Sequence, residues 1–188
     1  MEVFVCHAGE EAELAKLMVR LIRNAFEISH EQIRCTSVDG YKLSSGVRFN
    51  EALRDEILEA TVFICLISSI SANSNYVNSE LGIRYGAKQE ILPLLTPSTT
   101  HAVLEGFLAG FHVPECSNTS DLFSFIGDVG KRLEQTPHNP SIYLDLIHKI
   151  ANFDVLQNES STIGHGDTVT ANPYSYEEAD AVIQEQCR

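Results

Sequence analysis

TVFICLIS, residues 61–68, sets six apolar side chains in succession from Val62 to Ile67. A half-buried strand alternates apolar and polar residues, whereas a short unbroken run rich in β-branched and aromatic side chains suits a strand covered on both faces. Such a strand belongs in the middle of a parallel sheet, so its flanks should alternate helix with strand. Upstream, Phe49, Leu53, Ile57 and Ala60 recur at helical spacing, and IRCTS (33–37) repeats the strand signal. Earlier still, VFVCH (3–7) precedes a helical face of Leu14, Leu17, Met18, Leu21, Ile22 and Ala25. Downstream, a helix capped by Asn73 or Ser74 leads to EILPLLT (90–96), a fourth strand whose Pro93 points to a strand end, bulge or edge. HAVLEGF reads as a short helix, FHVPEC as a weak fifth strand, and SDLFSFIGDVGKRLE (120–134) as a clear amphipathic helix. With right-handed crossovers this alternation gives an α/β fold, a doubly wound parallel sheet of four to five strands.

QTPHNP (135–140) breaks the pattern, SIYLDLIHKIANF (141–153) is one more amphipathic helix, and residues 157–188 form a polar tail with a short helix over 176–186. The expected organisation is therefore one domain over 1–135 and a C-terminal helical and flexible extension over 136–188. A chain of 188 residues, 44% hydrophobic, suffices for one well-filled core. A formal charge of −13 argues against nucleic acid or an anionic membrane as partner, since both select a basic surface. Cys6, Cys35, Cys65, Cys116 and Cys187 form no CxxC pair, and three lie in apolar strand-like runs, as reduced core cysteines of a cytoplasmic protein do. No leader and no membrane-length apolar run is expected to direct the chain elsewhere. Neither GxGxxG nor a P-loop is present, and His165 with Asp167 supplies only two ligands, so no cofactor and no metal is assigned.

SNYVNSELG (74–82) holds the residue with chemistry to explain. On a helix, Tyr76, Glu80, Ile83 and Ala87 share one stripe, with Val77 and Leu81 beside it, so Glu80 falls where an apolar side chain is expected. Two readings compete: a carboxylate kept at a cleft for catalysis, and an exposed residue paired with Arg84 one turn on. Ligands of open parallel sheets sit beyond the carboxyl ends of the strands, which selects Cys6, His7, Ala8 and Gly9, then Thr36, Ser37, Asp39 and Gly40, then Ser68 and Ser69, with the Glu80 helix starting just after. His7 suits substrate binding and local loop orientation equally, and Asp39-Gly40 also reads as plain turn chemistry.

The order of VFVCHAGEEAELA, IRCTSVDGYKLSSGVRFNEAL, VFICLISSISANSNYVNSELG and ILPLL resembles the TIR (Toll/interleukin-1 receptor) domain, particularly its bacterial NAD-cleaving members, over residues 2–134. Its most specific element is Ser-x-aromatic-x-x-x-Glu, here Ser74, Tyr76 and Glu80, with Tyr76-Val77 where the family usually shows Trp-Cys. The resemblance implies a flavodoxin-like fold, Glu80 as the catalytic residue facing the ribose next to nicotinamide, and NAD+ as substrate rather than cofactor. It further implies self-association with other TIR domains, a gating role for SVDGYKLSSG, a separate effector or sensor protein as partner, and bacterial antiphage signalling. One carboxylate suffices for that reaction, because the leaving nicotinamide is already a pyridinium and needs no general acid. A non-enzymatic TIR assembly module and a nucleoside deoxyribosyltransferase-like enzyme, which also uses a glutamate on sugars, are the competing functions.

Overall fold

The computed structural model describes residues 1–35 and 49–154, leaving out the side chains of Phe49, Asn50 and Phe107. Four parallel strands, β1 (Val3–Cys6), β2 (Ile33–Arg34), β3 (Val62–Ile67) and β4 (Leu92–Leu95), form one sheet in the order β2-β1-β3-β4. The unbroken apolar run is thus interior, and all six of its residues are buried. Among the described residues six α-helices, α1 (Ala12–Ala25), α2 (Phe49–Glu59), α3 (Ser69–Asn73), α4 (Asn75–Gly86), α5 (Thr119–Leu133) and α6 (Leu144–Ala151), accompany the sheet, with short 3-10 turns between them.

Strand alternation divides the core into two layers. Val3 and Val5 with Val62, Ile64 and Leu66 face one side, where α1, α5 and α6 cover them. Phe4 and Cys6 with Phe63, Cys65 and Ile67 face the other, under Leu53 and Ile57 of α2 and Val77 and Leu81 of α4. Register stacks like on like in that second layer: Phe4 pairs with Phe63, ring centroids 5.3 Å apart, and Cys6 pairs with Cys65 at the carboxyl ends.

Three details differ from the expectation. The weak fifth strand is reduced to a single bridge, Leu95 to Glu115, with the Leu95 amide donating to Pro114 O (2.9 Å) and the Cys116 amide to Leu95 O (2.8 Å). Pro114 has no N–H to extend the ladder, which leaves β4, with its own Pro93, at the sheet edge. A short helix, α3, precedes α4 because Ser68 accepts from the Ile70 and Ser71 amides and Ser71 answers by accepting from the Ser68 amide at 2.7 Å. HAVLEGF contributes two tight turns, His101–Val103 and Gly106–Gly110, in place of one helix.

The division placed at 135 falls inside a compact unit that runs Met1–Val155. After α5 the His138 amide donates to Ala25 O at 2.8 Å, satisfying the end of α1, and Tyr143, Leu146, Ile147 and Ile150 then enter the first core layer. The polar tail and its expected short helix over 176–186 lie outside the described residues.

Candidate active site

Glu80 occupies the second turn of α4, which Ser74 starts by accepting the Val77 amide at 3.4 Å. The helix turns Val77, Glu80, Leu81 and Arg84 inward, and Glu80 is only 2% exposed. Pairing with Arg84 is excluded by geometry. The guanidinium donates from Nη1 to Ile57 O (2.8 Å) and Gln89 Oε1 (2.7 Å), donates from Nε to Glu90 O (3.0 Å), and rests 5.7 Å over the Phe63 ring. Arg84 therefore fastens α4 to the end of α2 and the entry of β4.

Two weak or half-exposed donors approach Glu80 instead: the Cys6 thiol, ending β1, and the Tyr76 hydroxyl, one turn earlier on α4. Oε1 has no hydrogen-bond partner among the described residues. Burial pushes the Glu80 carboxyl up to about 7, and the Cys6 and Tyr76 contacts pull it back only in part. A buried carboxyl oxygen without a partner among the described residues costs on the order of 1–3 kcal/mol. Tyr76 is 37% exposed, which puts the entry to Glu80 at the first turn of α4.

The loop after β1 is held from behind. His7 is buried and donates Nδ1–H to Val5 O at 3.1 Å, with Cys35 Sγ 3.9 Å away. Desolvation lowers its pKa, the Val5 bond opposing, so the ring is neutral near pH 7. Ala8 is buried and Gly9, beginning a tight turn, is exposed. The Ala8 amide donates at 2.9 Å to Glu11, which is fully buried and accepts a second bond from the Ser68 hydroxyl. The Ser68 hydroxyl is thus committed to Glu11 and to capping α3. Burial raises the Glu11 carboxyl, opposed by the Ser68 and Ala8 bonds.

Sequence reasoning passed over Glu11, which ties the loop after β1 to the loop after β3 at the mouth of the site. The available signal was its position three residues after Ala8, where a glutamate reaches back to a free helix-start amide. Hydrogen bonds bring Ala8 and Ser68 together through Glu11, while Cys6 and Tyr76 stand beside Glu80, Ser74 only starts α4, and His7 bonds back to Val5 O. Thr36, Ser37, Asp39 and Gly40 lie outside the described residues.

An open cleft of about 680 Å³ between Tyr85, Lys88, Ile91, Phe111 and Arg132 lies ahead of the first residue of β4, away from the carboxyl ends. Among the described residues no group of three or more His, Cys, Asp or Glu side chains is placed to hold a metal. In the same residues no helix is long and apolar enough to cross a membrane.

A family model described as "TIR domain" matches residues 3–123. Among solved structures, the chain is similar to the TIR domain of the Toll-related receptor TRR-2 from Hydra magnipapillata, at 19% identity and TM-score 0.55, over 71% of this chain and 98% of that one. It is also similar to the TIR domains of the activated Roq1 resistosome that recognises the pathogen effector XopQ, at 16% identity and TM-score 0.42, over 98% of each chain. No curated protein matches.

Proposed function

The chain belongs to the TIR domain family, and from that premise we propose that it cleaves the nicotinamide–ribose bond of NAD+, giving nicotinamide and ADP-ribose or a cyclic isomer, in bacterial immune signalling. The observation that carries this reading is Glu80: a carboxylate 2% exposed, with Oε1 unpartnered among the described residues, on the helix that follows β3. As the glycosidic bond breaks, its electrons leave with nicotinamide and positive charge develops on the ribose. A buried carboxylate with one open oxygen stabilises that charge directly or through the ribose hydroxyls, in surroundings where water does not screen it. Water then attacks the sugar carbon and loses a proton, or a nucleophile elsewhere on the same ADP-ribose closes the ring.

A purely adaptor function would leave the cost of this carboxylate unexplained. The family resemblance adds assembly with further TIR domains as a condition for activity. The purified chain, dilute and concentrated, should release nicotinamide from NAD+ with a specific activity that rises with protein concentration. Free base released from deoxynucleosides with NAD+ untouched would select the deoxyribosyltransferase alternative. No turnover of either would select the assembly module.

A further inference from the structure

Glu11 is fully buried, yet no cationic side chain among the described residues pairs with it. Its two oxygens instead face donors from two different loops. Oε2 accepts the Ala8 amide at 2.9 Å after β1, and Oε1 accepts the Ser68 hydroxyl after β3. Capping the tight turn before α1 needs only the Ala8 bond. The second bond reaches across 57 residues to the start of another helix. We infer that Glu11 is a positioning residue for the reaction: it fixes the start of α3 against the loop after β1 and, through α3, sets the place of Glu80 on α4. This rests on the reading of Glu80 as the catalytic carboxylate.

Both contacts demand an acceptor. The Ser68 oxygen already accepts the Ile70 amide (3.0 Å) and the Ser71 amide (3.1 Å), so its proton is what it has left to offer, and the Ala8 amide is a donor only. An ionised carboxylate presents an acceptor on each arm, whereas an amide or a protonated acid turns a donor toward one of the two loops. By taking the Ser68 proton, Glu11 also leaves the lone pairs of that oxygen to the amides that begin α3. From there the bonds run on without a gap. The Ser68 amide donates to Ser71 Oγ (2.7 Å), the Ser74 amide to Ser71 O (3.1 Å), the Asn78 amide to Ser74 O (2.9 Å), and Asn78 Nδ2 to Ala72 O (3.0 Å). Ser74 both ends α3 and caps α4, so no linker absorbs a shift at Ser68 before it reaches the helix that carries Glu80. At the other end of the tie, Ala8 packs in the core layer of Val77 and Leu81 of α4.

The test pairs amide hydrogen exchange with NAD+ turnover in the purified chain. Glu11→Gln should speed exchange at Ser71 and Ala72 by about tenfold or more. In nicotinamide release it should lower kcat about tenfold with KM little changed, since what moves is the reacting carboxylate and not a substrate contact. Ser68→Ala should give the same split, and the double variant should lose no more kcat than either single one, because both act through one tie. Unchanged exchange in Glu11→Gln, or raised exchange with kcat kept, would overturn the inference. A rise in KM with kcat kept in Ser68→Ala would make Ser68 a substrate contact and overturn it as well. If Glu11→Gln does not fold, Ser68→Ala against the parent decides by the same kcat and KM criterion. A parent that releases no nicotinamide, with exchange still raised in Glu11→Gln, would uphold the tie and remove the catalytic reading; release at the parent rate from both variants would overturn the inference and leave that reading standing.

Discussion

Replacing Glu80 by glutamine should stabilise the protein, and increasingly so as pH rises. The Glu80 carboxyl holds its proton up to about 7 in the fold, against an ordinary value of 4.5, because burial penalises the charged form. Between those values the folded chain keeps a proton that the unfolded chain has lost, so the stability of the parent falls as pH climbs through the window and is lowest above it. Integrating the difference in proton binding from pH 5 to pH 8 gives about 2–3 kcal/mol lost by the parent and not by Glu80→Gln, which does not titrate. For a chain of this size that corresponds to about 5–10 °C in melting midpoint. Glu11 and His7 also titrate in shifted surroundings, but they are common to both proteins and cancel in the difference. Urea unfolding of both proteins at four pH values measures the quantity directly. A stability difference equal at pH 5 and pH 8 would mean that Glu80 ionises as a solvated or paired carboxylate does, and the account of a dry, open oxygen would fail.

Arg84→Met should cost about 2–4 kcal/mol, since it strips the buried carbonyl of Ile57 and the half-buried one of Glu90 of their donor; a loss under about 1 kcal/mol in urea unfolding would reduce that guanidinium to the worth of a surface pair. Two glycines of α5 should respond in opposite senses. A Cβ on Gly130 would lie 2.7 Å from Gln135 O and 3.1 Å from Phe26 Cε1, so Gly130→Ala is expected to destabilise by about 1–3 kcal/mol. Gly127 has open space around it, and Gly127→Ala should add about 0.5–1 kcal/mol in the same assay; matching signs would contradict the packing. Ending the chain before Ser141 removes Tyr143, Leu146, Ile147 and Ile150 from the core, about 6–12 kcal/mol of burial and comparable to a whole domain's stability, whereas removing 157–188 should leave the melting midpoint nearly unchanged. Equal losses from the two truncations would contradict this partition.

The sheet was legible because its central strands carry a signal that only a two-sided cover explains: Val62 to Ile67 has no polar residue to spare for a solvent face. The stripe expected to hold Glu80 with Tyr76, Ile83 and Ala87 is not the buried face, since Tyr76 and Ala87 are exposed and Ile83 half-buried. Glu80 is buried with Val77, Leu81 and Arg84, because α4 is rotated so that the flank of that stripe meets the sheet. What stayed hidden depended on partners far apart in sequence. Glu11 sits beside Glu10 and Glu13 in a stretch that reads as solvated charge, and only the chain's return at Ser68 gives it a reason to be buried. Arg84 stood one turn from Glu80 and suggested an ion pair, but the end of α2 offered it carbonyls that no local spacing reveals. The proline-rich break after α5 looked like a boundary because Pro137 and Pro140 interrupt the helix period. His138 uses that irregular backbone to satisfy the end of α1, which keeps α6 in the core.

The central claim is that Glu80 meets a cationic sugar, and nicotinamide release by parent and Glu80→Gln under saturating NAD+ tests it most directly. Glutamine keeps the shape and removes the charge, so the chemical step should slow by ~10²-fold or more while the protein stays folded and, at neutral pH, melts no lower than the parent. A Glu80→Gln protein that releases nicotinamide at the parent rate would contradict the account.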